Sequence, residues 1–455
     1  MSGQLNLNAS NIQSYLEQQP NSHIHVGIFD IDGVLRSKRL RKEKVIHGLK
    51  NNLGFCDVIF GWDCGDALYD NINFTGWHTG YPDAKVLLLP ETCRAYPFEY
   101  GGLLILSEAC APVDQICPRG LLKRVLNRLE NLGFKSIAAL EYEFFCFNES
   151  PKSIMEKNFQ HLEPMSTGSF GYSAIRAGVF SEFNNELIDV CEQSDIALEG
   201  LHTETGPGVL EAAICASDGL AAADKAALFK TLTKIAAQRH EIMATFMARW
   251  STEYSGNGGH VHCSLTDLEG RPVFYNSEED NNISRNMRLF IAGLQTVLPD
   301  CIAMLAPTVN SYARLVPGFW APTSATWGVE NRTCALRAIT GSASSQRVEC
   351  RIPGADANPY LVLAAVLAAG CYGMENKLQP SKALTGNAYK HDASPEQIFP
   401  ETLGEAADKL SQSEVAKELF GNTFVEHFSA TRKWEQRQAN QAVSDWQLKR
   451  YFEII

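Results

Sequence analysis

The chain has 455 residues, 45% hydrophobic and 20% charged, with a formal net charge of −12 spread among interspersed acids and bases. That composition fits a globular protein of two or three domains, and it excludes a basic nucleic-acid-binding stripe and a surface matched to anionic membranes. The 13 cysteines stand singly, with no CxxC pair, so reduced thiols are expected rather than a disulfide framework or zinc ribbon; with the polar N-terminus MSGQLNLNAS this predicts a cytoplasmic location.

SNIQSYLEQQ (10–19) predicts a short capped helix stopped by Pro20. HIHVGIFDIDGVLRSKRL (23–40) has two β-rich halves about Asp32-Gly33, a hairpin signal. A helix near 41–52, a Gly- and aromatic-rich segment and a strand at KVLLLP (85–90) follow. The chain breaks near Cys117-Pro118. RGLLKRVLNRLENLGF then places apolar residues at 122, 125, 126, 129 and 132 before Gly133, an amphipathic helix with a glycine stop. Helices and short strands alternate beyond it. The Ala-rich 219–240 is the longest helix, and 360–378 reads as a buried one too short for a membrane span. The expected class is α+β: a small β-rich domain over 1–115, then a larger α+β domain over 118–455.

Four segments carry candidate chemistry. In IAALEYEFFCF (137–147) a strand would turn Glu141 and Glu143 to the same side. Adjacent carboxylates repel unless solvated or bound to cations, so the pair is either a polar strand face or a ligand pair. SGNGGHVHCSL (255–265) puts His260 and His262 on one face, either a metal or phosphate arrangement or a hydrogen-bonded surface pair. In HTETGPGVLEAAI (202–214), a Gly-Pro-Gly turn lets Glu204 and Glu211 point back at one place. ENRTCALRAITGSASSQRVECRIPGADANPY (330–360) strings Arg332, Arg337, Arg347 and Arg351 along β-like pieces around Glu349. Guanidinium groups so spaced suit a polyanion; the alternative is a set of surface ion pairs. Five glutamates and His260 suffice for two divalent cations. Oxygen ligands favour magnesium or manganese over zinc, and with the arginines they suit phosphoryl transfer.

Taken in order and spacing, EYEFF, NGGHVHCSL, APTVNSYARLVPGF, WGVENRT and ECRIPGADANPYL resemble the glutamine synthetase family, most closely its γ-glutamyl-amine ligase branch, which includes γ-glutamylputrescine synthetase. The resemblance implies an N-terminal β-grasp domain and a catalytic domain built on a curved antiparallel sheet. It implies hexameric rings, often stacked in pairs, with each active site between one subunit's catalytic domain and its neighbour's small domain. Glu143, Glu204 and Glu211 match ligands of a first metal; Glu141, His260 and Glu349 match those of a second that holds the ATP phosphates. Two or three Mg2+ or Mn2+ ions per site are implied. His262 and Ser264 match nucleotide contacts, with Arg337 and Arg347 placed beside the phosphates. Arg332 matches an arginine that neutralises the transferred phosphoryl group. Arg314 and Arg351 match residues gripping L-glutamate, whose site includes the backbone at Gly256. The implied reaction joins the γ-carboxylate of glutamate to an amine through a γ-glutamyl phosphate.

Two departures from the family bear on the amine. RLVPGFWAP (314–322) resembles the flap over the glutamate site, where the family has a glutamate before Ala-Pro; here Trp320 stands there. An indole can shield but is no base. The family's Asp-Gly-Ser-Ser corresponds to IFGWDC (59–64), which puts Phe60 near the aspartate position and adds Trp62, with Asp57 or Asp63 as replacement acids. Loss of both acids predicts a bulky or aromatic amine in preference to ammonium, or an alkylammonium held by cation–π contact. The alternatives are an ammonium-using glutamine synthetase, with Trp320 merely packing the loop, and a catalytically silent relative that binds glutamate or nucleotide.

Overall fold

The computed structural model describes residues 5–455. The predicted hairpin forms as β1 (His23–Phe29) and β2 (Leu35–Arg41), paired antiparallel. Asp30 closes its turn by accepting from the amides of Asp32 and Val34. β3 (Leu53–Cys56), β4 (Asp83–Leu88), β5 (Arg94–Ala95) and β6 (Leu103–Ala109) complete a small sheet of order β2-β1-β6-β4-β3, in which β6 lies parallel to β1 and β5 adds to β6. The helices Ile12–Gln18 and Lys42–Asn51 cover a core that includes Leu16, Ile24, Val26, Val45 and Ile105.

The second sheet has nine strands: β7 (Phe134–Phe147), β8 (Leu198–Thr203), β9 (Val209–Ile214), β10 (Ser217–Asp218), β11 (Met243–Thr245), β12 (Gly259–Asp267), β13 (Trp327–Val329), β14 (Leu336–Ile339) and β15 (Arg347–Cys350). Its order is β13-β14-β15-β12-β7-β9-β8, with β10 and β11 extending β7. The expected antiparallel pairing holds through the sheet except at one edge. β13 runs parallel to β14 because the loop 330–335 returns the chain to the end where β13 began. The fold is α+β, with a mixed sheet.

β7 shows why this sheet has a functional face. Ala138, Leu140, Tyr142 and Phe144 are buried, while Glu141 and Glu143 between them are only partly so. The buried set meets the helices Pro118–Asn131 and Gly219–Arg239, and Tyr142 stacks on Phe229 at 6.1 Å. Period-two alternation therefore delivers the acids to the opposite face. The tip of the small sheet's hairpin docks on the larger body. Asn358 Nδ2 donates to the carbonyls of Asp30 and Ile31 at 3.2 and 3.1 Å, and Arg432 pairs with Asp32 at 2.7 Å. All thirteen cysteines are free. Among the described residues no helix is long and apolar enough to cross a membrane.

Candidate active site

Strand register assembles the acids. On β8, β9 and β7, His202 lies opposite Glu211, and Glu211 opposite Glu143. One step along β7, Glu141 lies opposite His260 of β12. One step along β12, His262 lies opposite Glu349 of β15, which lies opposite Arg337 of β14. The result is a diagonal polar band across six strands. It forms the floor of a cleft of about 520 Å³. Glu204, just past the end of β8, completes the band.

Two sets of three side chains bring donor atoms within 4.8 Å of one another: Glu141, His262 and Glu349, and His202, Glu204 and Glu211. Both could hold a metal ion. The partition differs in two members from the sequence expectation. His260 sits beside the first set, its Nδ1 3.8 Å from Glu141 and 3.7 Å from Glu349. Glu143 sits beside the second and turns Oε2 to the amide of Gly258. The electrostatics fit cations. Burial, then the neighbouring Glu143, Glu141 and Glu204 carboxylates, push the Glu211 carboxyl up to about 9. Crowded acids of this kind lack positive charge. Burial opposes ionisation of Glu349 too, yet Arg351, His260 and His262 hold it at about 2.

The arginines line the same cleft. Arg314 is 4% exposed, and among the described residues its hydrogen bonds go only to the carbonyls of Ile352 and Arg351. Burial lowers its pKa. It is a dry guanidinium without a carboxylate. Arg351 pairs with Glu349 but leaves Nε buried and unpartnered among the described residues. Arg337 bridges Glu349 and Glu330, Arg347 donates to His262 at 3.1 Å, and Arg332 is exposed at the rim. Gly256 adjoins Arg314 so closely that a Cβ there would lie 2.2 Å from the Ala248 carbonyl and 3.0 Å from Arg314 Cγ. Only glycine lets the backbone pass at that point.

The flap is pinned on both sides of Trp320. Arg249 stacks on Phe319 at 4.2 Å, and the Tyr389 hydroxyl donates to the Ala321 carbonyl at 3.1 Å. Trp320 itself lines the cleft, is 57% exposed, and holds φ at +63°. That value is an outlier for a bulky residue. Its neighbours hold the loop, while the indole stays mostly exposed.

Three predicted residues lie elsewhere. Phe60 has 0% exposure and packs with Ile28, Phe55, Val86 and Ile116 in the small-sheet core. It offers a ligand no surface, so its expected role as an amine wall is corrected. Trp62 is half-buried under Arg36, 4.8 Å from its ring, outside this cleft. Ser264 lies one repeat beyond His262 and donates to the Gln346 carbonyl at 3.0 Å, also outside it. Sequence reasoning passed over His202, Tyr172 and Phe319, all of which line the cleft. His202 was legible, because it precedes Glu204 by two residues as Glu141 precedes Glu143. Tyr172 carries no such signal.

Residues 115–451 match the family described as "Glutamine synthetase, catalytic domain". The chain is 45% identical over 432 residues to the type-1 glutamine synthetase 2 of Dictyostelium discoideum, covering 94% of this chain and 82% of that one. It is 39% identical over 451 residues to a glutamate–isopropylamine ligase of a Pseudomonas species, covering 98% of each. A solved GmaS/ADP complex superposes with a TM-score of 0.84 at 25% identity, covering 97% of this chain and 99% of that one.

Proposed function

The chain belongs to the glutamine synthetase family, and from that membership we propose that it is an ATP-dependent ligase joining the γ-carboxylate of L-glutamate to a bulky or aromatic amine in preference to ammonium. The observation that carries the amine preference is Trp320. A mostly exposed indole stands at the cleft mouth where a glutamate is expected, on a loop already held by Phe319 and Ala321. The 39% relative, named for isopropylamine, supports this reading. The 45% relative, named a glutamine synthetase, favours ammonium as the second reading.

The residues divide the work as follows. Arg314 and Arg351 bind the carboxylates of glutamate. Arg314 does so at little desolvation cost, since it is already dry. Two or three divalent cations, Mg2+ or Mn2+, would be held by the carboxylate and imidazole band, and when bound they neutralise charge on the phosphates of ATP. Arg337 and Arg347, with His262 of β12, line the cleft and orient the nucleotide. The γ-carboxylate oxygen attacks the terminal phosphorus, ADP leaves, and Arg332 at the rim neutralises the transferred group. The amine nitrogen then attacks the γ-carbonyl carbon, phosphate leaves, and the amine loses a proton. Trp320 excludes water from the acyl phosphate meanwhile. We place the site in a hexameric ring or stacked dodecamer, where a neighbour's small domain would bring Trp62 towards it.

The test is phosphate release from ATP with magnesium and glutamate across ammonium, isopropylamine, ethanolamine, putrescine, benzylamine and an aniline, with mass spectrometry of products. γ-Glutamyl amides from the bulky amines, and little glutamine, support the proposal. Glutamine at a comparable rate favours the second reading. No turnover with any amine removes both and favours a binding protein.

A further inference from the structure

His202 is not among the cation ligands that the family resemblance implies, yet it faces that site directly. β8 sets it opposite Glu211 and on the same face as Glu204. Its Nε2 lies 3.4 Å from Glu204 Oε1 and 3.7 Å from Glu211 Oε1. That nitrogen is sealed from solvent, and among the described residues it has no hydrogen-bond partner. A buried ring nitrogen without a partner is costly. The plane of the ring is fixed from the other side, since Tyr172 stacks on it at 4.9 Å with 23° between the rings. Tyr172 is held in turn through its amide, which donates to the Thr203 carbonyl at 2.7 Å. Meanwhile Glu143 commits Oε2 to the Gly258 amide and so has one oxygen left for an ion. The donors that converge on one point are therefore an imidazole nitrogen and two carboxylates.

We propose that His202 ligates the first cation through Nε2 and makes that position prefer manganese to magnesium. Mg2+ takes oxygen donors and keeps its waters, whereas an imidazole nitrogen binds later first-row ions more strongly. The proposal rests on the two-cation reading above but not on the identity of the amine. Its alternative is a structural histidine that, when protonated, offsets the charge of Glu204 and Glu211.

The test uses the full chain with the metal alone. Mn2+ binding is followed by pulsed electron paramagnetic resonance, which detects nitrogen coupled to the ion, and Mg2+ by competition. His202→Gln keeps an oxygen donor at an edge-strand position that a polar residue tolerates, and Tyr172→Leu frees the ring without removing it. The expected result for His202→Gln is loss of one nitrogen coupling and a fall in Mn2+ affinity of at least about tenfold, with a clearly smaller fall for Mg2+; even residues that only orient a ligand are commonly worth that much. Tyr172→Leu should keep the coupling and weaken Mn2+ binding less. Unchanged coupling in His202→Gln, or equal losses for both metals, overturns the assignment and leaves the two-cation reading intact. Failure of the unaltered chain to bind either ion overturns both.

Discussion

Arg347 donates its Nε–H to Nδ1 of His262 at 3.1 Å. Arginine does not give up its proton, so Nδ1 must accept. The neutral imidazole then carries its hydrogen on Nε2, which sits 3.0 Å from Glu141 Oε1. A protonated Nε2 is no metal ligand. In this tautomer His262 would position Glu141 rather than ligate an ion, and His260 would be the imidazole ligand between Glu141 and Glu349. His262→Asn should cost roughly tenfold in cation affinity, the low end for an outer-shell partner, and His260→Asn clearly more. Calorimetric titration with Mn2+ on both variants decides it; the reverse ranking would mean that His262 is the ligand.

Glu211 gives a pH dependence. Burial and neighbouring carboxylates raise its pKa from 4.5 to about 9. Between those values the folded state holds a proton that the unfolded state has lost. Stability from this group is therefore present at low pH and falls as pH rises towards 9. The cation-free protein should show a Tm that declines over this window, and saturating Mg2+ should flatten the decline. Glu211→Gln should raise the cation-free Tm at pH 8 while weakening cation binding, a stability–function exchange. A Tm indifferent to pH in the unaltered chain, and to the substitution, would show that the carboxylates do not repel.

Phe60 separates core from pocket. Phe60→Ala removes a fully buried ring and should cost about 3–5 kcal/mol, read from denaturant unfolding. The amine KM of the protein that remains folded should not change. Trp62→Ala, half-buried on the small domain, should destabilise far less and raise the amine KM if the neighbouring subunit presents it. The opposite pattern would return Phe60 to the pocket.

The band of acids was legible because it follows a local rule. Side chains two apart on a strand share a face, so EYE and HVH each declare a pair before any fold is known. The same rule reads His202 from HTE, had it been applied there. The 23–41 hairpin and the helices at 118–131, 219–239 and 359–375 were legible for equally local reasons: a turn dipeptide, an apolar stripe with a glycine stop, and long runs of helix formers. Phe60 was not, because an aromatic in an apolar stretch looks the same in a wall and in a core. Contacts with Ile28 and Val86, far off in sequence, decide between them. Strands as short as β13 and β14 carry no sign of direction. Tyr172 lies between elements at a φ of +53°, where no periodicity reaches.

Arg314 should report glutamate. Its guanidinium is dry and bonded only to two carbonyls, so a substrate carboxylate would gain a charge-assisted bond already cleared of water. Arg314→Gln should cost about 2–3 kcal/mol of glutamate binding, on the order of a hundredfold in affinity. The KM for ATP should stay nearly unchanged. Equal losses for both substrates would point to a collapsed cleft instead.

Trp320 is the proposed determinant of the amine. Arg249 under Phe319 and Tyr389 on Ala321 fix the flap without the indole, and a residue 57% exposed contributes little to folding when changed, roughly 0.5 kcal/mol or less. Trp320→Glu should therefore fold as well as the parent. It would restore a carboxylate that attracts ammonium and takes its proton, and general-base assistance contributes about 10²–10⁴-fold. The kcat/KM for ammonium should rise by at least the lower figure, and that for isopropylamine or benzylamine should fall as the apolar wall is lost. Trp320→Gly is the control: it removes the wall, adds no base and relieves a strained φ, so it should lose the bulky amines without gaining ammonium. If Trp320→Glu leaves the ratio of the two amines where it was, the indole is only a shield and selection lies elsewhere in the cleft.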